Sequence, residues 1–421
     1  IKYLFVVILK DINHRCCILC YSLDCRFKDI ERVVEFCIKK KMKQNRRYKY
    51  IHIMPMGASS FCVNFILFIN KYLSAREHLF VLLSKNIIDK LVDLDNVIYE
   101  DKSRAEVLYK YLPLGDSIIL HSLPYPIWTF LFMKKSLLRK ITWWVWGHDL
   151  YRTHRVKRDI SSLKKRLVYC LKFTLNLMYL SVYELLWSCL YFSKVKKMKS
   201  IIVCCRADQD EVRRRFGSDM KIFRSYYTSG YYYPELVQLE EKRMDNSINI
   251  MIGHCAFDFL KHREYLDKLL VYKNEDIKII LPLSYGDISY AETIEIYART
   301  LYGDKVLILR ENLGFLDYVK LINTIDIAIF AYKHQSALGN IMLLLLWGKK
   351  VYLSSKGLLF KGFKDDGVNV YDCDEIGNIP LKELSLHLYP NTLGIEYAKE
   401  AFDEKFLKKN YENIFEYLAK K

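Results

Sequence analysis

The chain has 421 residues, of which 52% are hydrophobic, with only 16 glycines and 8 prolines. This length predicts two or three domains with sizeable cores, and the composition excludes a mostly disordered chain. The formal net charge of +18 indicates a polyanionic partner, either a nucleic acid or a surface of anionic lipid.

Residues 1–47 form an N-terminal extension that does not fit the pattern of the rest. Residues 1–9 are apolar but too short for a secretory signal, and charged residues follow at once. Four of the 12 cysteines crowd into residues 16–25 with only His14 nearby, so a metal site lacks a second ligand pair. We therefore expect reduced cytosolic thiols and no bound metal.

Residues 48–240 alternate short β-branched runs with amphipathic stretches, which predicts a Rossmann-like domain built from parallel βα units. The predicted strands are Tyr48–Met54, His78–Leu83, Ser117–His121, Ile141–Trp146 and Ser200–Cys204.

A basic region at residues 151–200 holds 12 Lys/Arg against two acids, a local balance of +10. Its charges flank a stretch rich in leucine and aromatic residues, a composition typical of a helix at a lipid headgroup interface. A pair of buried helices with a solvated basic rim is the alternative. No run of about 20 residues is apolar enough to predict a membrane-spanning helix.

Residues 226–247, aromatic and then charged, predict a domain boundary, and a second Rossmann-like domain follows at 246–390. Residues 391–421 read as a long helical tail. The predicted strands of the second domain are Ile248–Ile252, Ile277–Leu281, Val306–Leu309, Asp326–Ala331, Lys349–Leu353 and Val368–Tyr371.

The predicted fold class is therefore α/β, with two Rossmann-like domains facing each other across a cleft and a C-terminal helix. Open parallel sheets bind ligands outside the carboxyl ends of their strands. We therefore expect the chemistry in the loops that follow the strands.

In the first domain, two titratable residues follow neighbouring predicted strands. Asp149 lies in the stretch from Trp143 to Tyr151, where a tryptophan-rich strand ends in a glycine turn, and His121 ends an apolar strand. Either side chain is a candidate general base that removes a proton from an acceptor hydroxyl. The alternatives are a helix cap for Asp149 and a structural histidine for His121.

In the second domain, Gly253 and His254 follow the first strand, and Ser284 and Tyr285 follow the second. Glycine at such a position lets backbone amides approach a phosphate, and the next helix N-terminus favours negative charge. We predict that these four residues contact the nucleotide.

The loop after the strand that ends at Ala331 contains Lys333 and Gln335, and Gly339 and Asn340 open the apolar helix that follows. Backbone amides at this turn suit a diphosphate, and Lys333 adds positive charge. Polar loops at three strand ends of one sheet predict a nucleotide site.

Asp208 and Asp210 are spaced like the carboxylate pair that holds a divalent cation with a nucleotide sugar, but they lie in a charged, helix-like segment. This setting favours a metal-independent site, in which amides and basic side chains neutralise the leaving diphosphate.

At these loops the sequence resembles the TDP-4-acetamido-4,6-dideoxygalactose:lipid II transferase family of enterobacterial common antigen synthesis, glycosyltransferase family 56. The resemblance covers about residues 48–400. It rests on a W-x-W-G-x-D-L-Y block from Trp144 to Tyr151, on His121 with Pro126 and Trp128, on Gly253, and on Gln335, Gly339, Gly348 and Val351.

The resemblance implies a GT-B-like fold, a dTDP-sugar donor and an undecaprenyl-diphosphate-linked saccharide as acceptor. It implies a peripheral enzyme at the cytoplasmic side of the bacterial inner membrane, held by an anionic lipid surface and needing no cofactor.

Two blocks differ from the family. His254 and Cys255 follow Gly253 where Asn and Ser are frequent, and His334-Gln335-Ser336 replaces R-Q-Q. The donor sugar is therefore open, as is an O-antigen pathway.

Three other interpretations stay open on sequence grounds. A transferase of the same fold would use another nucleotide sugar and lipid acceptor. A non-catalytic membrane-surface protein would bind the donor without turnover. A nucleic-acid-binding protein is suggested only by the net charge, and we expect no nucleic acid.

Overall fold

A computed structural model describes residues 47–54, 60–101, 103–123, 130, 133–151, 192–227, 247–385 and 392–420. The N-terminal extension up to residue 46 and residues 152–191 of the basic region lie outside the described residues. The predictions made for those two segments therefore stay predictions.

In the described residues the first sheet has seven strands, and every pairing is parallel. Their order is β3-β2-β1-β4-β5-β6-β7. The strands are β1 Tyr48–Met54, β2 His78–Leu82, β3 Val97–Tyr99, β4 Gly115–His121, β5 Ile141–Trp144, β6 Ser200–Val203 and β7 Ile222–Arg224.

The second sheet has six parallel strands in the described residues, in the order β10-β9-β8-β11-β12-β13. The strands are β8 Ile248–Ile252, β9 Ile277–Pro282, β10 Val306–Leu309, β11 Ile327–Phe330, β12 Lys350–Leu353 and β13 Tyr371–Asp372. In both sheets the first three strands are added toward one edge and the fourth is added on the other side of the first, and this reversal of strand order opens a ligand-binding crevice.

Helices cover the sheets because strands as apolar as these bury both faces. The first domain carries α1 Ser60–Tyr72, α2 Arg104–Tyr111, α3 Lys135–Leu138, α4 His148–Tyr151, α5 Phe192–Val195 and α6 Arg206–Phe216. The second carries α7 His262–Lys268, α8 Ile288–Tyr302, α9 Phe315–Asn323, α10 Leu338–Leu346, α11 Leu358–Asp365 and α12 Leu381–Ser385, and α13 Thr392–Phe402 and α14 Glu404–Ala419 end the chain.

The C-terminal segment is two helices, whereas one long helical tail was predicted. The chain turns at Asp403, whose carboxylate caps α14 by accepting the amide hydrogen of Phe406 at 2.6 Å. Helix α14 then returns to the first domain, where the Tyr50 hydroxyl donates to the carbonyl of Phe415 at 2.7 Å. The C-terminal helices therefore tie the two domains together.

The domains also touch directly beside the cleft. Helices α6 and α11 pack so closely that a Cβ atom on Gly362 would lie 2.9 Å from the amide nitrogen of Ala207. Arg224 of β7 pairs with Asp366 at 2.8 Å, and both side chains are mostly buried. Most of the predicted boundary at 226–247, namely residues 228–246, lies outside the described part, so its position stays a prediction.

The short strands β3 and β7 were not predicted. Both have three residues and lie at the edges of the first sheet, where half of the backbone groups have no strand partner. No helix within the described residues combines the length and apolarity needed to cross a membrane.

Candidate functional site

A cavity of about 320 Å³ lies where the loops of the two sheets face each other. A volume in this range is typical of small-molecule sites. Its wall combines Val145, Trp146, Cys204, Tyr226 and Tyr227 of the first domain, His254, Tyr285, Gln335, Ala337, Leu338, Gly339, Asn340 and Met342 of the second, and Ala401 and Phe402 of α13.

One part of this wall is the N-terminus of α10. Ala337 precedes the helix in the left-handed conformation, at φ 52°, a strained position for a residue with a side chain. Its carbonyl accepts the amide of Ile341, so the amides of Leu338 and Gly339 have no carbonyl partner within the helix. These amides and the helix dipole make this end of the cavity suitable for an anion.

His254 lies beside this helix end, in the loop after β8. Its Nε2 atom is 3.2 Å from the Ser336 hydroxyl and 3.5 Å from the Cys255 thiol. Its Nδ1 atom has no hydrogen-bond partner among the described residues. Burial lowers the pKa of His254 to about 4, so the imidazole is neutral at neutral pH.

Five of the eight residues predicted to bind the nucleotide line the cavity, namely His254, Tyr285, Gln335, Gly339 and Asn340. The other three, Gly253, Ser284 and Lys333, are not part of its wall.

Gly253 lies beneath the site at φ 69°, where a Cβ atom would sit 2.7 Å from His262 Nε2. This glycine therefore permits a close approach of the loop to α7. Lys333 is exposed, and its backbone carbonyl accepts the amide of Leu358 at 3.0 Å.

Gln335 also joins the two predicted motifs across the cleft. Gly147 has φ 87°, and a Cβ atom placed on it would lie 1.9 Å from Gln335 Oε1. A side chain at position 147 would therefore collide with Gln335. The tryptophan block of the first domain and the glutamine loop of the second thus form one continuous structure.

Asp149 does not line the cavity. Its buried carboxylate accepts three hydrogen bonds, from the Leu123 amide at 2.8 Å, the Trp143 indole at 2.7 Å and the Trp146 amide at 3.0 Å. These bonds fix the strand-end loop that carries Trp146, whose side chain is part of the wall.

His121 is fully buried behind the wall and reaches it through Tyr227. The Tyr227 hydroxyl lies 3.0 Å from His121 Nδ1, and His121 Nε2 lies 2.9 Å from His52 Nδ1. His52 Nε2 in turn lies 3.0 Å from His78 Nδ1. We call His78, His52 and His121 the histidine chain.

Burial lowers the pKa of all three histidines, to about 3 for His121 and His78. They are therefore neutral at neutral pH. The sequence did not single out His52 or His78. His78 opens the apolar strand β2, and His52 interrupts the apolar end of β1 at Ile51–Met54, the signal that would have found them.

The two aspartates spaced like a metal-binding pair do not form one. Asp208 is buried and accepts the Tyr151 hydroxyl at 2.7 Å, whereas Asp210 pairs with Arg206 at 3.6 Å. Burial raises the pKa of Asp208 to about 7. In the part of the chain that the structure describes, no group of three or more His, Cys, Asp or Glu side chains is placed to hold a metal ion.

The family model described as 4-alpha-L-fucosyltransferase, glycosyl transferase group 56, matches residues 75–389. The match covers more than half of the chain, so the protein belongs to glycosyltransferase family 56. It is a glycosyltransferase, as the tryptophan block and the strand-end loops indicated.

Solved structures share the architecture at low sequence identity. A glycosyltransferase from Rickettsia africae matches with a TM-score of 0.53 and 14% identity, covering 89% of this chain and 99% of that chain. Alr3699/HepE from Anabaena, in complex with UDP and glucose, matches with a TM-score of 0.54 and 13% identity over 88% and 100%. The predicted GT-B fold with two Rossmann-like domains is confirmed.

Proposed function

We propose that this member of glycosyltransferase family 56 transfers a 4-(acyl)amino-4,6-dideoxyhexose from a dTDP-sugar to an undecaprenyl-diphosphate-linked saccharide. The product would serve enterobacterial common antigen or O-antigen synthesis. The observation that carries the proposal is the cavity between the domains, where the N-terminus of α10 meets the aromatic wall of the first domain.

The second domain would bind the donor. In this proposal the diphosphate lies against the amides of Leu338 and Gly339, with Gln335 and Asn340 at its sides. A site made of backbone amides and uncharged side chains stabilises the leaving diphosphate without a metal, because the amide dipoles already point at the developing charge. Tyr285, which is 52% exposed at the cavity edge, is placed to contact the nucleoside.

The transferred sugar would lie against the apolar part of the wall. Val145, Met342 and Phe402 offer no polar group to a sugar. A 6-deoxy sugar, which carries a methyl group in place of a hydroxymethyl group, loses less hydration energy against such a surface. This contact supports the choice of a dideoxy sugar.

The acceptor hydroxyl would enter from the side of Trp146 and Tyr227. Of the two predicted bases, we assign proton removal to His121, because one hydrogen bond through Tyr227 connects it with the cavity. Because burial lowers the pKa of His121 to about 3, the neutral imidazole accepts this proton only as the acceptor oxygen bonds to the anomeric carbon, when the hydroxyl becomes strongly acidic. We assign Asp149 the positioning of Trp146, because its carboxylate contacts only two backbone amides and an indole, none of which can relay a proton as the Tyr227 hydroxyl can.

Because the proposed acceptor is lipid-linked, the enzyme would act at the cytoplasmic side of the inner membrane. The basic region at 151–200, with its local balance of +10, supports a peripheral contact with anionic lipid. Binding of the purified protein to vesicles of anionic lipid, lost above about 0.5 M salt, tests this part.

The experiment that tests the donor site is thermal stabilisation of the purified protein by dTDP, UDP, GDP and CMP without added metal. A ligand that binds the native state raises the melting temperature. We expect a selective rise with dTDP, followed by transfer from dTDP-dideoxyamino sugars. No rise with any nucleotide would refute the donor site.

The second candidate is a transferase of the same fold that uses a UDP-sugar. The likeness to the Anabaena protein in complex with UDP and glucose favours it. In that case UDP, and not dTDP, gives the larger rise in melting temperature. The roles of α10 and His254 would be unchanged.

A further inference from the structure

We propose that His254 donates a hydrogen bond from its Nδ1–H group to the leaving diphosphate of the donor, and that Ser336 fixes the tautomer that makes this possible. This inference rests on the proposed donor site and adds to it a specific interaction with the reacting group.

The position of His254 supports this role. The residue lines the cavity and is only 9% exposed, and its loop lies next to the N-terminus of α10. Gly253 lets this loop approach α7 so closely that any side chain at position 253 would collide with His262. The imidazole itself lies among the rings of Tyr285, Phe330 and Tyr332, at centroid distances of 6.2, 6.4 and 6.1 Å, and Ser336 contacts its Nε2 atom.

The partners of the ring are compatible with a proton on Nδ1. Nε2 faces a hydroxyl at 3.2 Å and a thiol at 3.5 Å, each of which can donate or accept a hydrogen bond. In the proposed tautomer both donate to Nε2, and the single proton of the neutral imidazole lies on Nδ1. That atom is buried and has no partner among the described residues. A buried donor without an acceptor is unfavourable, so a ligand that supplies an acceptor is favoured there.

The same cavity attracts an anion to this donor. The first-turn amides of α10 line it together with His254, and the helix dipole is positive at that end. During transfer the bond between the anomeric carbon and the diphosphate oxygen breaks, and both electrons remain on the oxygen. The Nδ1–H group stabilises this charge by hydrogen bonding, keeps its proton, and leaves the imidazole neutral.

Two substitutions separate the two ring nitrogens. Asparagine places its amide nitrogen near the position of Nδ1 but is too short to reach Ser336. Glutamine reaches toward Ser336 and leaves the Nδ1 position empty. His254→Asn and His254→Gln therefore form a matched pair that removes one contact each.

The measurement combines kcat and KM for the donor sugar, the Kd of the nucleoside diphosphate, and the melting temperature of the free variants. We expect H254Q to lower kcat about 50-fold with a smaller change in KM, and to weaken diphosphate binding about tenfold. H254N should recover most of both losses. We expect both variants to melt within a few degrees of the wild type.

Two outcomes distinguish failure of the proposed donor site from failure of the role of Nδ1. If the wild type binds no nucleoside diphosphate, the proposed donor site is wrong and the role of His254 falls with it. If the wild type binds and turns over the donor but H254N and H254Q lose kcat equally, only the role of Nδ1 is overturned. A loss confined to KM would also contradict it, because a leaving-group contact strengthens in the transition state.

Discussion

Both sheets hold titratable side chains beside the same cleft, but the two domains differ in whether the protein itself already satisfies the hydrogen bonds of these side chains. In the first domain the indole nitrogens of Trp144 and Trp146 have no hydrogen-bond partner among the described residues, but the two predicted bases are already paired within the protein. Asp149 accepts three hydrogen bonds, and His121 is bonded at both ring nitrogens. In the second domain His254 keeps a buried nitrogen without a partner among the described residues, and α10 points its first amides at the cavity.

This difference assigns different tasks to the two domains. Paired buried groups fix the shape of a wall: Asp149 holds the loop that carries Trp146, and His121 holds the Tyr227 hydroxyl. Groups left for a ligand give binding and stabilisation of charge. The following predictions test this division, from the largest expected effect to the smallest.

The largest expected effect is a loss of folding stability as the pH falls. Burial lowers the pKa of His121 and His78 to about 3 and of His254 and His262 to about 4, against an unfolded value of 6.5. Below pH 6.5 the unfolded chain therefore binds protons that the folded chain does not. Stability is present above this pH and is lost as the pH falls, by up to about 1.4 kcal/mol per pH unit for each histidine.

Chemical denaturation of the wild type between pH 7 and pH 4 checks this prediction. A free energy of unfolding that stays constant over this range would show that these histidines are not buried in the neutral form.

The next effect is expected at Asp149. Asp149→Ala leaves three buried donors without an acceptor, and we expect it to lower the free energy of unfolding by about 4 kcal/mol. Denaturant unfolding measures the loss. A variant as stable as the wild type that has lost transfer would instead identify Asp149 as the base. Asp149→Asn, which keeps one acceptor oxygen, serves as the intermediate control.

The histidine chain supplies the third test. His52→Phe keeps a ring among Phe65 and Phe80 but leaves His121 Nε2 and His78 Nδ1 without their partner. We expect a loss of about 2 kcal/mol in stability and of about fivefold in kcat, since Tyr227 loses its orientation. Unchanged binding of dTDP is expected. Weaker binding of dTDP would place the chain in the donor site.

His121→Ala separates proton removal from this positioning effect. If His121 takes the proton, kcat falls about 100-fold, well beyond the loss in H52F. Equal losses in the two variants would reduce His121 to a positioning residue.

The contact between the two loops gives the fourth test. Gly147→Ala adds a Cβ atom that collides with Gln335 at a backbone conformation unfavourable for alanine. Displacement of Gln335 should lower kcat/KM about tenfold, which corresponds to about 1.4 kcal/mol. The matched control is Gly367→Ala, because that glycine also has a positive φ but has open space around it. Equal losses in both variants would attribute the effect to the backbone alone.

The smallest effect is expected at the surface between the domains. Arg224→Gln removes one partner of Asp366 but leaves Arg206 at 3.6 Å from the same carboxylate, so we expect a cost of about 1 kcal/mol. We expect stability to fall by that amount and transfer to change less than twofold. A large loss of transfer would show that this pair controls domain closure.

Much of the fold follows from the sequence, because parallel strands buried on both faces form unmistakable apolar runs. The predicted strands Tyr48–Met54, Ile248–Ile252 and Val306–Leu309 match the structure to the residue. The short strands β3 and β7 at the edges of the first sheet were missed, and so was the break at Asp403, which is set by a capping side chain.

The candidate site could be predicted from the sequence less completely than the fold. Strand-end position alone located the loops of His254 and Gln335. It does not distinguish a polar group that the protein satisfies from one left for a ligand. That distinction depends on partners distant in sequence, such as His52 for His121 or Leu123 for Asp149.

The most direct test of the division between the domains is hydrogen–deuterium exchange with and without saturating dTDP, or UDP if that nucleotide stabilises the protein more. Binding at the second domain predicts slower exchange of the amides at 338–342 and 253–255. Exchange at 117–123 and 144–151 should stay as in the free protein. Protection confined to those first-domain segments, with none at the start of α10, would contradict the account.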